Sequence, residues 1–147
     1  MILTGEKITE EVNNKKIIIT PFNKEDLNTN SYDFHLSNRL LVYKSNELDF
    51  RENNPTEELI IPKEGLTLSP DKIYIGQTAE TIGSKYYVPI IRGRSSTGRL
   101  GLYINITSDL KDLGDISPCE LTLHVVEPLI IYPNIKIGQV TFWTIED

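Results

Sequence analysis

Short apolar runs, rich in β-branched and aromatic residues and separated by turn-forming residues, divide this chain almost from end to end. Such runs suit strands, and they leave little room for helices. They are Lys16 to Thr20, Leu40 to Tyr43, Leu59 to Ile61, Lys72 to Ile75, Tyr87 to Ile91, Leu102 to Ile106, Leu121 to Val126, Leu129 to Tyr132 and Gln139 to Ile145. Only residues 5 to 13 carry helical spacing, with Thr4 placed as N-cap and Ile8 and Val12 on one face. Many short strands with one short helix predict an all-β sandwich, jelly roll or barrel. The acidic, Asn-rich stretch from Asn46 to Glu58 reads as loop. At 147 residues and 39% apolar content, the chain is expected to form a single domain, 1–147, around one core.

One stretch reads as chemistry. Gly93-Arg94-Ser95-Ser96-Thr97-Gly98-Arg99-Leu100-Gly101-Leu102 combines glycines, paired hydroxyls and two spaced arginines. Glycines let backbone N–H groups approach an anion, hydroxyls donate to its oxygens, and Arg supplies charge-assisted bonds that do not titrate away. The plainer reading is an Arg-capped turn before a short helix. Arginines beside glycine-rich backbone are hard to neutralise without an anion, which favours a ligand. The net charge of −6 argues against a nucleic acid polymer, whose binders carry a basic face. Arg92, Arg94 and Arg99 are clustered, which suits a small polyanion such as a nucleoside triphosphate. The single cysteine, Cys119, cannot form an internal disulfide, and no apolar run reaches membrane length. The expectation is a soluble cytoplasmic protein with no membrane partner.

The Gly-Arg-Ser-Ser-x-Gly-Arg-Leu-Gly-Leu segment resembles the phosphate-binding motif of the dCTP deaminases, the deaminating branch of the dUTPase superfamily. Met1-Ile2-Leu3-Thr4-Gly5, Ile17-Ile18-Ile19-Thr20-Pro21-Phe22, Leu27-Asn28 and Ser31-Tyr32-Asp33-Phe34-His35-Leu36 are similar to that family's N-terminal region. Tyr132-Pro133-Asn134-Ile135-Lys136-Ile137-Gly138-Gln139-Val140-Thr141-Phe142 resembles its closing strands. The blocks occur in family order along nearly the whole chain. The resemblance implies a distorted jelly roll or β-barrel of the dUTPase-like type and a homotrimer with sites at subunit boundaries. It also implies a triphosphate held by Arg94, Ser95, Ser96 and Arg99, with Gln139 nearby. Mg2+ would be carried on the nucleotide phosphates, with no protein metal site. Thr107 and Ser108 align with the pair that positions the attacking water and the base.

Departures from the family pattern accompany these matches. Arg92 stands where an acidic residue is usual, which makes the loop more electropositive. Ser117 replaces the Asp that contacts the sugar. The alternation Leu121-Thr122-Leu123-His124-Val125 puts His124 where the family's proton-shuttling Glu belongs, whereas an ungapped count back from Tyr132 puts Glu120 there. Two things favour His124: Leu-Thr-Leu-x-Val preserves the family's alternation, and the ungapped count would place Pro118 inside a strand. The plain alternative for His124 is a surface or subunit-contact histidine. Positions 120 and 124 share a strand face but lie about 13 Å apart at strand rise, so they cannot serve one reacting atom. Zinc chemistry has no support, since His35, His124 and Cys119 lack the spacing of a zinc deaminase. Family deaminases continue past the Gln-containing strand into a segment that covers the nucleotide, whereas this sequence stops at Asp147, so a poorer lid is expected. Three readings stay open: a divergent deaminase or dUTPase-like hydrolase with altered or lost deamination, a nucleotide-binding or regulatory module, and a purely structural subunit.

Overall fold

In the computed structural model, which describes residues 1–147, the chain opens with α1 (Gly5–Asn13), β1 (Ile17–Thr20) and a 3-10 turn at Lys24–Asp26. It continues through β2 (Tyr32–His35), β3 (Arg39–Tyr43), β4 (Thr56–Ile60), β5 (Leu66–Leu68), β6 (Tyr74–Ser84) and β7 (Val88–Gly93). After the one-turn α2 (Ser95–Gly98) come β8 (Leu102–Ile104), β9 (Ser117–Val125), β10 (Leu129–Ile131) and β11 (Lys136–Trp143). The largest sheet has the order β4-β3-β6-β9-β8, with β1 also paired to β6; a second has the order β2-β11-β7, and β5 pairs with β10. Every ladder is antiparallel.

The length of β6 organises the larger sheet. One edge takes β9, while the other is shared between β3, at Tyr74 and Ile75, and β1, at Thr81 to Ser84. The β6–β9 register shifts between Gln77 and Thr81, the local irregularity that a bulge produces. There the Thr78 hydroxyl accepts from the Cys119 N–H at 2.8 Å and donates to the Glu80 carbonyl at 2.6 Å. A buried side chain thus takes over the bonding of a missing rung. Glu80, also buried, accepts from the His35 N–H at 2.9 Å and meets His35 Nδ1 at 2.7 Å.

Along β9 burial alternates strictly: Cys119, Leu121, Leu123 and Val125 point inward, and Pro118, Glu120, Thr122 and His124 outward. The inward set joins Tyr32 and Phe34 of β2, Leu40 and Val42 of β3, and Val140 and Phe142 of β11 in a single buried cluster. Gly138 on β11 is demanded by close approach, since a β-carbon there would come within 2.4 Å of the Phe34 ring and 2.5 Å of the Arg92 carbonyl.

Four expectations need correction. β2 and β5 fall in segments not predicted as strands, and β6 continues nine residues past Ile75 because its buried Thr78, Glu80 and Ser84 break the apolar pattern. β4 starts at Thr56, inside the expected loop, as an exposed edge strand whose burial carries little apolar signal. β9 starts at Ser117 and therefore includes Pro118, so the objection raised against Glu120 does not hold. Pro118 is exposed and pairs with Thr81 at the limit of the register shift, where a missing N–H is tolerated.

The helix forms where the spacing predicts. Thr4 Oγ1 accepts from the Lys7 N–H at 3.2 Å, Ile8 is fully buried and Val12 packs against the core. Its buried Glu11 accepts from the Tyr87 hydroxyl at 2.5 Å and from Asn14 Nδ2 at 3.2 Å. The Tyr87 bond holds the Glu11 carboxyl below its ordinary 4.5. The same bond pushes Tyr87 from 10.0 to about 12. The pair's stabilisation is therefore complete between these two ordinary values; it is lost on the acid side as Glu11 protonates and on the alkaline side as Tyr87 ionises. Tyr87→Phe is expected to cost about 1–3 kcal/mol at neutral pH. It should also reduce the loss of stability that urea titrations of the wild type are expected to show between pH 10 and about 12.

Candidate functional site

The Arg-Ser-Ser segment leaves β7 as a single helical turn. Thr97 Oγ1 accepts from the Arg94 N–H at 3.1 Å and donates to the Arg94 carbonyl at 2.8 Å, closing the turn on itself. Gln139 supports it from β11: its Nε2 donates to the Gly93 carbonyl at 3.3 Å, while its Oε1 accepts from Ser31 Oγ at 3.0 Å. Arg94 lies 3.5 Å from the buried carboxylate of Asp33, which also accepts from Asn28 Nδ2 at 2.8 Å. Arg92 pairs with Asp109 at 3.0 Å, both side chains in contact with water. The expectation that the two arginines of the segment require an external anion is thus corrected for Arg94, which has a carboxylate within the chain, and not for Arg99. Asp109 likewise offsets the added charge of Arg92. Ser95, Ser96 and Arg99 are exposed, with no side-chain partner in the chain. The segment therefore has a braced base and an open, donor-rich crown.

Asn105, which sequence reasoning missed, ends β8 and links three clefts. Its φ of 50° lies in the left-handed region, which Asn tolerates better than most residues. Its side chain then behaves as backbone: Oδ1 accepts from the Thr122 N–H at 2.8 Å and Nδ2 donates to the Glu120 carbonyl at 3.4 Å, so the amide extends the β8–β9 ladder while the main chain turns away. The first cleft, about 350 Å³, lies beside Arg92, Gly93, Arg94 and Gly98. The second, about 340 Å³, holds Ser108, Asp109, Asp115, Ser117 and Glu120. The third, about 360 Å³, holds Thr107, Ser108, Thr122 and His124. Asn105 lines all three.

The candidate residues are thus brought together in part. Ser108 faces both outward positions considered for proton transfer, Glu120 in one cleft and His124 in the other, whereas Thr107 lines only the cleft with His124. Thr122 stands between them on the same face and was not singled out from the sequence. The Ser117 hydroxyl is already engaged, donating to Asp115 Oδ1 at 2.7 Å and accepting from Lys111 Nζ at 3.2 Å. His35 is remote from this face and tied to Glu80. An Asn closing an apolar run is a turn signal, so Asn105 was open to recognition. Asp-Leu-Lys-Asp reads as solvated, and nothing in it marks Lys111 as buried.

A family model described as dCTP deaminase-like matches residues 2–145. The chain belongs to the dCTP deaminase-like family. A dCTP deaminase, dUMP-forming, of Clostridium botulinum (strain Alaska E43 / Type E3) is 47% identical over 146 residues, covering 99% of this chain and 84% of that protein. The protein of the same description from Cytophaga hutchinsonii is 43% identical, with the same coverage. A dCTP deaminase of Rhodopirellula baltica is 44% identical over 99% of this chain and 73% of its own length. Among solved structures, a 2'-deoxycytidine 5'-triphosphate deaminase from Agrobacterium tumefaciens superposes with a TM-score of 0.75 at 16% identity, over 96% of this chain and 47% of that one. The fold is therefore that of this dCTP deaminase-like family, all-β with one short N-terminal helix as the sequence predicts. No helix is long and apolar enough to cross a membrane.

If Asn105 is the joint of the site, replacing it should have separable costs. Asn105→Ala loses the amide bonds and so leaves the β-carbon at positive φ without the side-chain hydrogen bonds that offset it, and is expected to destabilise by about 1–3 kcal/mol. Asn105→Gly retains the backbone geometry and should cost less. Denaturant melts of the two variants provide the comparison.

Proposed function

We propose that this member of the dCTP deaminase-like family binds a deoxynucleoside triphosphate, with its phosphates on residues 94–99 and its sugar and base in the clefts that meet at Asn105. The observation that carries this reading is the adjacency of the three clefts: the one at the base of the turn, lined by Arg94 and Gly98, shares Asn105 with the polar clefts that hold Thr107 and Ser108. Ser95, Ser96 and Arg99 donate to phosphate oxygens, and Arg94, oriented by Asp33, adds a charged donor at the base of the turn. Mg2+ belongs on the phosphates in this reading. A homotrimer belongs to this reading: Ile106, which lines two of the clefts, and Leu100, just past the turn, are 72% and 62% exposed, and a neighbouring copy would remove them from water. Light scattering is expected to return a trimer, and a stable monomer at micromolar concentration would overturn that part.

Deamination of a cytosine ring adds water at the carbon bearing the amino group and releases ammonia. One group must accept the water proton, protonate the ring nitrogen and assist the leaving amine, work suited to a desolvated carboxylate. We assign that position to His124 on the alternation Leu121-Thr122-Leu123-His124-Val125 alone, with Glu120 as the rival now that Pro118 lies within β9; an imidazole differs from a carboxylate in shape and in the charge of each protonation state. Turnover of dCTP is accordingly expected to be slow or absent. A second reading, a module that binds or sequesters the nucleotide, is favoured by one observation: the cleft shared by Thr107, Ser108 and His124 is lined by no carboxylate.

Two measurements test this. Calorimetry with dCTP should show Arg99→Ala losing about 1.5–3 kcal/mol of binding and Ser96→Ala about 0.5–1.5 kcal/mol, as expected for a charged and a neutral donor; unchanged binding in both would make the turn structural. Incubation with dCTP, dUTP or other nucleotides plus Mg2+, with dUTP and dUMP resolved by chromatography, tests turnover. Gain of deamination in His124→Glu would support the assignment. A fast wild type unaffected by His124→Ala but silenced by Glu120→Gln would move the role to Glu120. Intact binding with no turnover in either wild type or His124→Glu would select the binding module.

A further inference from the structure

Lys111 is the least expected residue near the clefts. It lies in the segment that leaves β8 at Asn105 and enters β9 at Ser117, yet it is only 8% exposed. Its Nζ donates to the carbonyls of Ile82 and Ser117, both at 2.7 Å, and to Ser117 Oγ at 3.2 Å, and lies 3.4 Å from Cys119 Sγ. Ile82 and Ser117 are register partners at the end of the β6–β9 ladder, beyond its irregularity. The ammonium therefore bridges two strands where their own pairing ends.

Burying a cation without bonding its protons is costly. Here three donors meet two carbonyls, with the hydroxyl and thiol as remaining acceptors. Burial pushes the Cys119 thiol up, so it faces Lys111 as a neutral group. The counter-charge sits one hydroxyl away, because Ser117 Oγ donates to Asp115 at 2.7 Å. Backbone bonds carry the clamp to the rest of the segment. Asp109 accepts from the Ile91 N–H at 2.6 Å, the Lys111 N–H donates to Pro89 at 2.9 Å, and the Gly114 N–H donates to Ser84 at 2.8 Å. Thr107 and Ser108 are held between this anchored stretch and Asn105.

We propose that Lys111 is a positioning residue for the base-and-sugar part of the site: by fastening residues 105–116 to β6 and β9, it fixes Thr107 and Ser108 over the outward face of β9. The inference rests on the nucleotide reading above. It also separates the two halves of the ligand, because residues 94–99 are braced by Thr97, Gln139 and Asp33, none of which touches Lys111. The segment touches β7 through Pro89 to Ile91, ahead of the turn, and the one side-chain ion pair between the halves, Arg92 to Asp109, is an exposed pair of small energetic weight.

The test compares full-length wild type and Lys111→Met by calorimetry with two probes, dCTP and inorganic tripolyphosphate, together with hydrogen exchange. Lys111→Met is expected to weaken dCTP binding by about tenfold or more while leaving tripolyphosphate affinity within about twofold. Exchange should rise in residues 105–116 and at Ile91, whose N–H donates to Asp109, and remain unchanged in residues 94–99 and β11. Equal loss for both probes, or no loss for either, would overturn the positioning role while leaving the nucleotide site standing. A wild type that binds neither probe would overturn the nucleotide reading and this inference with it. Should Lys111→Met fail to accumulate folded, Lys111→Arg keeps the charge on a differently shaped head; a dCTP-selective loss smaller than tenfold is expected, and equal binding of both probes would overturn the role.

Discussion

The pairing of β6 with β9 is the constraint on which the rest of the structure depends. β6 gives its other edge to β3 and then to β1, so its alignment sets the larger sheet. Its partner β9 presents Glu120, Thr122 and His124 on one face and Leu121, Leu123 and Val125 to the core. Strand side chains alternate with period two, so a one-residue slip would bury the polar row and expose the leucines. The irregularity at Gln77 to Thr81 is absorbed by the Thr78 hydroxyl and leaves that alternation intact along β9. The chemistry of the outer face and the stability of the core are thus set by the same register.

Electrostatics around the turn follow from internal pairing. A chain of net charge −6 gathers three arginines in residues 92–99 and engages two of them, Arg94 through Asp33 and Arg92 through Asp109. Asp33 is itself buried and fixed by Asn28, so Arg94 is held in one direction before any ligand arrives. Such preorganisation lowers the ordering cost of binding an anion. Arg99 and the two serines keep their donors exposed. In the proposed reading the turn therefore combines a rigid base with an open surface.

Much of the fold was legible, and the failures have physical causes. Strands with one apolar face, such as β9 and β11, announce themselves by alternation. The helix does so through Thr4, Ile8 and Val12. The far half of β6 does not, because Thr78, Glu80 and Ser84 are buried polar residues satisfied by partners distant in sequence: Cys119, His35 and Lys16. The site divides in the same way. The Arg-Ser-Ser turn is a local motif and could be read directly. Asp33 as partner of Arg94, and Lys111 as a buried clamp, are products of tertiary proximity, and no spacing in the sequence encodes them. Pro118 misled the reading for a related reason, since a proline is excluded from a regular ladder but not from one interrupted beside it.

The clefts also have a common architectural origin. A β8 strand that simply continued along β9 would cover the outer edge of the sheet and leave no hollow there. Asn105 lets the main chain depart while its side-chain amide retains contacts with Glu120 and Thr122. Residues 105–116 then swing out to β7 and return at Ser117, where Lys111 bridges the end of the β6–β9 ladder. The polar space is therefore the gap between a ladder continued by one side chain and a loop fastened by another. Its lining combines the outward row of β9 with the hydroxyls of Thr107 and Ser108, and both depend on the two strands whose alignment organises the core.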